Sequence, residues 1–381
     1  MAKKILYFST ASPFGIGGGC FAVRAYLKSI SEIFDGKVDV LFAKEWEDCE
    51  DNSIKLGAVF RTGSRSIARM LFSPFTGEIN RFPKPAMKII KERADEYCCI
   101  VSNGTSIGGH IARFARKSRI KMVTIHHNYQ PEYFKDNSKG MRKWIELPWV
   151  KKLERDAYLN SDLNLFLTEQ DRIKFESVYG KCSGKCSVLG VYEFSEYQEP
   201  VIQEKPSDKL TFVITGSLCT MQGVDGIRYF FEELYKYLPE NCQVIIAGQS
   251  PTDEVKSLCD EHKNVTLIPS PKDMTEVISC GDIYICPTRV GGGIKLRVMD
   301  GLKLGLPVIT HACSARGYDA FYGTDYFKSF DIQEEFKQSL DDLISKIGTI
   351  NKRDVIECYK DGFSYEAGLA RMRKEFSKIS L

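Results

Sequence analysis

The sequence predicts an α/β protein of two domains, each a doubly wound parallel sheet. Three observations carry this. The chain is 381 residues long, too long for one ordinary core and suited to two. Short apolar runs alternate with helix-length segments along nearly the whole chain, the order expected of parallel βαβ units with right-handed crossovers. Between Asp282 and Ala312 an apolar run, three glycines, an amphipathic stretch and a second apolar run follow one another directly.

The first half opens with strand KILYFST, a loop ending in Gly17-Gly18-Gly19, and a helix from about Cys20 to Ile33. Strands VDVLFA (38–43), CCIVSN (98–103) and KMVTIHH (121–127) follow, with helical segments between them. A helix around Lys151–Leu159 leads into strand DLNLFLT, and Thr168-Glu-Gln-Asp171 has the spacing of a capping box. The stretch from 193 to 209 is weakly periodic and reads as a linker. The second half alternates more cleanly: strand TFVITGSL, helix 224–238, strand CQVIIAG, helix 252–262, strand NVTLIP, helix 272–280, strand DIYICP, a helix from about Ile294 to Leu304, and strand PVITHA. We therefore expect domains at 1–192 and 210–355, with a last helical segment in 356–381 packing back on the first domain.

Composition excludes several classes. Hydrophobic residues make up 43% and charged residues 27%, as in globular proteins. No apolar run approaches the ~20 residues needed to span a bilayer, and the amino-terminal apolar stretch is too short for a signal peptide. Thirteen cysteines in an unexported chain imply free thiols in a reducing cytoplasm. A formal charge of +3 argues neither for nor against nucleic acid, but no nucleic-acid module is recognisable.

The most informative segment is Thr288-Arg289-Val290-Gly291-Gly292-Gly293-Ile294-Lys295-Leu296-Arg297. A glycine loop entering a helix presents unpaired N–H groups and the positive helix end to an anion. Cations in a first turn oppose the macrodipole unless a multiply charged anion lies over the loop, so Lys295 and Arg297 read as diphosphate ligands, with Arg289 beside them. Asp300 can accept from a ribose hydroxyl. The alternative for each is a solvated helix face.

Three stretches carry a resemblance. ITGSLCTMQGVDGIRYFFEEL, QVIIAGQSP, and NVTLIP through GLPVITH resemble the nucleotide-binding half of GT-B glycosyltransferases of family 4, in the subgroup with a Gly-Gly-Gly-Ile-Lys-x-Arg loop. Gly17–Gly19, the IHHN strand end, and the run from Leu153 to Gly180 followed by SVLGVYEF extend it to the first half. The resemblance implies two Rossmann-like domains facing a cleft and retaining transfer of a sugar from a UDP- or GDP-linked donor, with no cofactor and no metal. It adds Gly216, Ser217 and Ile294 to the donor contacts, Gly17, Gly18, Gly19 and Asn128 to an acceptor or phosphate loop, and His127 near the reacting sugar. The family's two glutamates fall here on Gly292 and Asp300, which leaves the sugar identity open.

His126 and His127 are adjacent on a strand and point to opposite faces, so at most one faces a ligand. Cys182-Ser-Gly-Lys-Cys186 lacks a second ligand pair nearby and reads as a loop with two ordinary thiols rather than a zinc knuckle. Arg61, Arg65 and Arg69 recur every four residues, one face if the segment is helical, and with Arg81, Lys84, Lys88, Lys91 and Arg93 they are interleaved with Phe60, Phe72, Phe75 and Phe82. A second basic group holds Arg113, Arg116, Lys117, Arg119 and Lys121. Basic and apolar residues together suit an anionic membrane surface. The expected activity is addition of a sugar to a surface glycan (capsule, O-antigen or exopolysaccharide), on a lipid-diphosphate-linked acceptor at the inner face of a bacterial membrane. The alternatives are a nucleotide-sugar epimerase, a catalytically silent binding subunit, and a nicotinamide oxidoreductase; the last is disfavoured because Gly17–Gly19 does not form Gly-x-Gly-x-x-Gly.

Overall fold

The computed structural model describes residues 3–9, 18–43, 53–62, 84–137, 142–199 and 209–381. The chain divides into two compact units, Met1–Glu196 with Tyr365–Leu381, and Tyr197–Ser364.

The first unit holds a seven-stranded sheet of β1 (Lys4–Ser9), β2 (Val38–Ala43), β3 (Val59–Thr62), β4 (Tyr97–Asn103), β5 (Lys121–His126), β6 (Leu163–Phe166) and β7 (Lys185–Val188), in the order β3-β2-β1-β4-β5-β6-β7. Every pairing is parallel. Its central strands are apolar on both faces, as helices on both sides require. Leu6, Phe8, Ile100 and Met122 pack with Ile107, Ile111 and Ala115 of the Thr105–Lys117 helix. The chain leaves β1 for β2 on one side and later returns to β4 on the other, so a topological switch point lies at the carboxyl ends of β1 and β4.

The second unit repeats the plan with β8 (Leu210–Ser217), β9 (Cys242–Gln249), β10 (Val265–Pro269), β11 (Ile283–Cys286), β12 (Val308–His311) and β13 (Phe327–Phe330), in the order β10-β9-β8-β11-β12-β13. All its pairings are parallel too. Phe212, Ile214, Val244, Ile246, Ile285 and Ile309 form its core with Phe230 and Phe336, each such side chain contributing about 1.5–3 kcal/mol on burial. Its switch point lies at the ends of β8 and β11. Both units are Rossmann-like.

The strands expected from sequence are present, and β3, β7 and β13, each of four residues, are added at or beside sheet edges. Thr168 caps the Glu169–Tyr179 helix, its Oγ1 accepting from the Asp171 N–H at 3.0 Å. The reciprocal contact runs from the Thr168 hydroxyl to Asp171 Oδ2 at 2.7 Å, because Asp is one methylene short of the usual glutamate. The expected 224–238 helix is instead an α-helix, Met221–Tyr229, followed by a π turn, Phe230–Leu234, and a 3-10 turn. That change of pitch buries Phe230 while Phe231 stacks on His262 at 4.9 Å. Arg61 lies in β3, not in a helix, so a helical face shared with Arg65 and Arg69 does not form through it. Those two residues, with Arg81, Phe72, Phe75 and Phe82, lie outside the described residues, as does Gly17.

The final helix, Tyr365–Phe376, packs on the Gly18–Ile33 helix of the first unit. Phe376 meets Phe34 edge-on at 5.4 Å, and Arg371 Nε donates to the Leu189 carbonyl at 3.0 Å.

Candidate active site

Beyond β11 the backbone turns at Gly291 and Gly293, whose φ angles are 94° and 72°. This left-handed region suits glycine. At Gly291 a Cβ would also fall 2.1 Å from the Gln222 side chain. The loop closes on the Lys295 ammonium, which donates to the carbonyls of Gly291 and Gly292 at 2.9 and 3.0 Å. Tyr318 donates to the Lys295 carbonyl at 2.8 Å, and the Cys313 thiol to that of Gly291 at 3.2 Å. These contacts correct the expected helix. It runs Arg297–Lys303, not from Ile294, because residues 294–296 are held by the loop's own bonds. Lys295 therefore stands before the helix, and only Arg297 lies in its first turn.

Arg297 donates from Nη1 to Thr288 Oγ1 at 3.0 Å. The same guanidinium lies on the backbone at the end of β8, where a Cβ on Gly216 would sit 2.7 Å from Nη1. The cation is thus fixed at the switch point between β8 and β11. Lys295 is 6% exposed, and its ammonium is held below the ordinary lysine range, first by burial and then by repulsion from Arg297 and Arg316. Among the described residues neither Lys295 nor Arg297 is paired with a carboxylate. A half-desolvated cluster of like charge is costly unless an anion completes it.

The other expected donor residues divide. Gly216 and Ser217 end β8 beside Arg297. Gly292, Gly293 and Ile294 line the loop. Arg289 is held elsewhere: it forms a two-point ion pair with Asp225 at 3.1 and 3.2 Å and lies over the Tyr229 ring at 4.4 Å. That pairing ties the loop to the Met221–Tyr229 helix. Asp300 is exposed one turn beyond Arg297. Sequence reading missed Gln222, Thr288, Cys313, Arg316 and Tyr318. The rule that ligands sit at the carboxyl ends of strands would have flagged Cys313, Arg316 and Tyr318, which follow β12 directly.

At the corresponding switch point of the first unit, Asn103 joins two strands to a third. Its Nδ2 donates to Ser9 Oγ at 3.3 Å, and its Oδ1 accepts from His127 Nε2 at 2.9 Å. With the proton on Nε2, His127 Nδ1 is an acceptor without a partner among the described residues. Burial lowers the His127 pKa to about 4, so the ring is neutral at pH 7. His126 faces the other way. It is fully buried, bonded through Nδ1 to Thr105 Oγ1 at 3.0 Å and through Nε2 to Asn164 Oδ1 at 2.8 Å, and stacked on Phe166 at 4.8 Å. Both its nitrogens are occupied, which makes it a core residue. Asn128 accepts from Gln130 Nε2 at 2.6 Å, and Gly18 and Gly19 begin the Gly18–Ile33 helix.

Residues 209–346 match the family described as Glycosyl transferases group 1. Sucrose-phosphate synthase from Thermosynechococcus elongatus superposes with a TM-score of 0.69 at 13% identity, over 99% of this chain and 98% of that one. HepE from Anabaena in complex with UDP gives 0.69 at 12% identity, over 99% and 100% of the two chains. The lipopolysaccharide outer core galactosyltransferase WaaB, in its apo form, gives 0.69 at 12% identity over 99% and 100%. No curated protein matches the chain in sequence. At these identities the likeness establishes the fold, which is GT-B: two parallel-sheet Rossmann-like domains.

Proposed function

We propose that this chain is a retaining, metal-independent hexosyltransferase that moves a sugar from a UDP- or GDP-linked donor to a growing surface glycan. One observation carries the reading: Lys295 and Arg297 form a cationic cluster at the β8/β11 switch point, neither paired with a carboxylate among the described residues, within the segment that matches the glycosyltransferase family. HepE was solved with UDP and with UDP-glucose, which favours a uridine nucleotide. WaaB acts on the lipopolysaccharide outer core by its name, which favours a glycan acceptor.

In the proposed reaction the bond from the sugar C1 to the donor diphosphate breaks, and a bond from C1 to the acceptor oxygen forms on the same face. The acceptor proton passes to the departing diphosphate. Charge grows on that diphosphate, so cations fixed in advance stabilise the transition state more than the ground state. Arg297 is fixed by Thr288 and Gly216. Lys295 has a third N–H to offer beyond the two it gives its loop. Asp300 takes a ribose hydroxyl. His127, neutral and with no partner at Nδ1 among the described residues, accepts a hydroxyl hydrogen bond and orients the sugar; it is no nucleophile.

The acceptor is proposed to be lipid-linked, with the first unit resting on an anionic membrane. Trp144 and Ile145, at the start of the Arg142–Asn160 helix, are 72% and 40% exposed, and Tyr133 nearby in sequence is 41% exposed. Exposed aromatic groups of this kind suit a membrane interface. The second basic group lends less support, because Arg113 pairs with Asp156 at 3.2 Å and Lys121 with Asp162 at 2.8 Å. Among the described residues no helix is long and apolar enough to cross a membrane.

A thermal-shift screen of nucleoside diphosphates and nucleotide sugars tests the assignment. A ligand binding only the native state at a hundred times its Kd adds about 2.7 kcal/mol. UDP or GDP should raise the melting temperature and adenosine nucleotides should not. No response to any nucleotide at millimolar concentration would point instead to a silent member of the fold.

A further inference from the structure

Cys182 and Cys186 flank the segment Ser183-Gly184-Lys185, a bend leading into β7, and their sulfurs lie 3.2 Å apart. Both are half-buried against the cluster of Tyr158, Phe166 and Phe175, and neither takes part in the proposed transfer. We propose that they form a reversible redox site, closing to an intramolecular disulfide when a low-molecular-weight disulfide such as oxidised glutathione is present.

The backbone holds the two thiols together. Cys186 is fixed in β7 by its pairing with Asn164 of β6. The bend is fixed under the carbonyl of Ser161, where a Cβ on Gly184 would sit 2.0 Å from the oxygen, and by the Lys185 N–H bond to the Asp162 carbonyl at 2.9 Å. Asn164 Nδ2 reaches the Cys182 sulfur at 3.5 Å. A disulfide needs about 2.05 Å between sulfurs, so little more than 1 Å of approach separates the dithiol from its oxidised form. The two thiols are not equivalent. The hydrogen bond from Cys186 holds Cys182 below the ordinary thiol range, and the same contact raises Cys186. Cys182 is therefore the attacking thiolate.

The exchange balances. Cys182 thiolate attacks one sulfur of the glutathione disulfide and expels a glutathione thiolate, leaving Cys182 as a mixed disulfide. Cys186 then loses its proton, attacks the Cys182 sulfur and expels the second glutathione. Two protein thiols are oxidised and one disulfide is reduced to two thiols. The bond opens by the reverse steps in excess glutathione. Asn164 also bonds His126 Nε2 at 2.8 Å, so the pair is one side chain removed from the last residue of β5, which precedes His127.

Trypsin resolves the outcome, because it cleaves after Lys181 and Lys185. Reduced full-length protein is incubated with oxidised glutathione, alkylated, digested and analysed by mass spectrometry. The wild type should yield the peptide beginning at Cys182 linked to the peptide beginning at Cys186, separating after dithiothreitol. Cys186→Ser should instead retain glutathione on Cys182, and Cys182→Ser should give no linked peptide. Three results would overturn the proposal: both cysteines still alkylatable, separate glutathione adducts in the wild type, or a stoichiometric zinc ion that protects the pair.

Discussion

Arg297 and Thr288 are joined by a 3.0 Å hydrogen bond across the glycine loop, from the first turn of a helix back to the residue just beyond β11. The bond sets the guanidinium against Gly216 before any ligand arrives. The position of the charge is therefore a property of the fold, and the contact is close enough that one methyl group disturbs it.

Gly216→Ala should displace the guanidinium, since the new Cβ would stand 2.7 Å from Nη1. Charge-assisted hydrogen bonds contribute about 1.5–3 kcal/mol, so UDP affinity should fall about 10-fold or more. Stability should change little, because the strand pairing from Leu210 to Ser217 is kept. Titration calorimetry and urea unfolding on the same variant separate the two effects.

The two histidines should part company. His127→Ala should lower transfer turnover ~100-fold with nucleotide affinity near normal, a usual scale for a positioning side chain. His126→Ala removes a buried ring with two hydrogen bonds and a stack on Phe166, and should cost about 3 kcal/mol of stability. A fully active His127→Ala protein would remove that residue from the transfer reaction, and a loss of stability instead of turnover would make it structural like His126.

Much of this arrangement is legible in the sequence, for identifiable reasons. Central strands such as Leu210–Ser217 and Cys242–Gln249 are buried on both faces and read as continuous apolar runs. The edge strand Lys185–Val188 carries no such run, and the Val59–Thr62 strand contains Arg61. Both are specified by pairing with a neighbour, which no local pattern reveals. The glycine loop announces an anion site through composition, whereas the Lys295 bonds to Gly291 and Gly292 depend on tertiary closure by Tyr318 and Cys313. Arg289 shows the same limit, since Asp225, its partner, lies 64 residues away.

Glu154 should leave a pH signature. Burial raises its carboxyl pKa to about 8, although it accepts from the Gln130 N–H and the Tyr179 hydroxyl at 2.8 and 3.0 Å. An acid with a raised folded pKa stabilises the fold below its unfolded pKa and loses that contribution as pH rises toward the folded value. Between pH 6 and pH 7 the unfolded state has released the proton and the native state keeps it, so stability should fall by about 1.4 kcal/mol per pH unit from this group, and by about half that slope at pH 8. Glu154→Gln removes the titration. The stability of the variant relative to wild type should therefore rise by that slope, as measured by urea unfolding at pH 6, 7 and 8. A constant difference would mean that the carboxyl is ionised in the fold.

Membrane association should depend on the exposed aromatic site. Trp144→Ala with Ile145→Ser should reduce flotation with anionic liposomes by at least ~10-fold, given about 25 cal/mol per Å² of apolar surface. Neutral liposomes should bind less at low salt, because each basic residue near an anionic surface adds about 1 kcal/mol. Wild-type protein that stays with the soluble fraction would make a soluble acceptor the better reading.

The central claim is that the loop from Gly291 to Arg297 grips a diphosphate, and calorimetry of UDP against uridine tests it most directly. Wild type should bind UDP far more tightly than uridine. Lys295→Ala should weaken UDP by about 2 kcal/mol and leave uridine nearly unchanged, which isolates the phosphate contact from the base. Equal losses for UDP and uridine, or a Lys295→Ala protein that binds UDP as wild type does, would contradict the assignment of this loop.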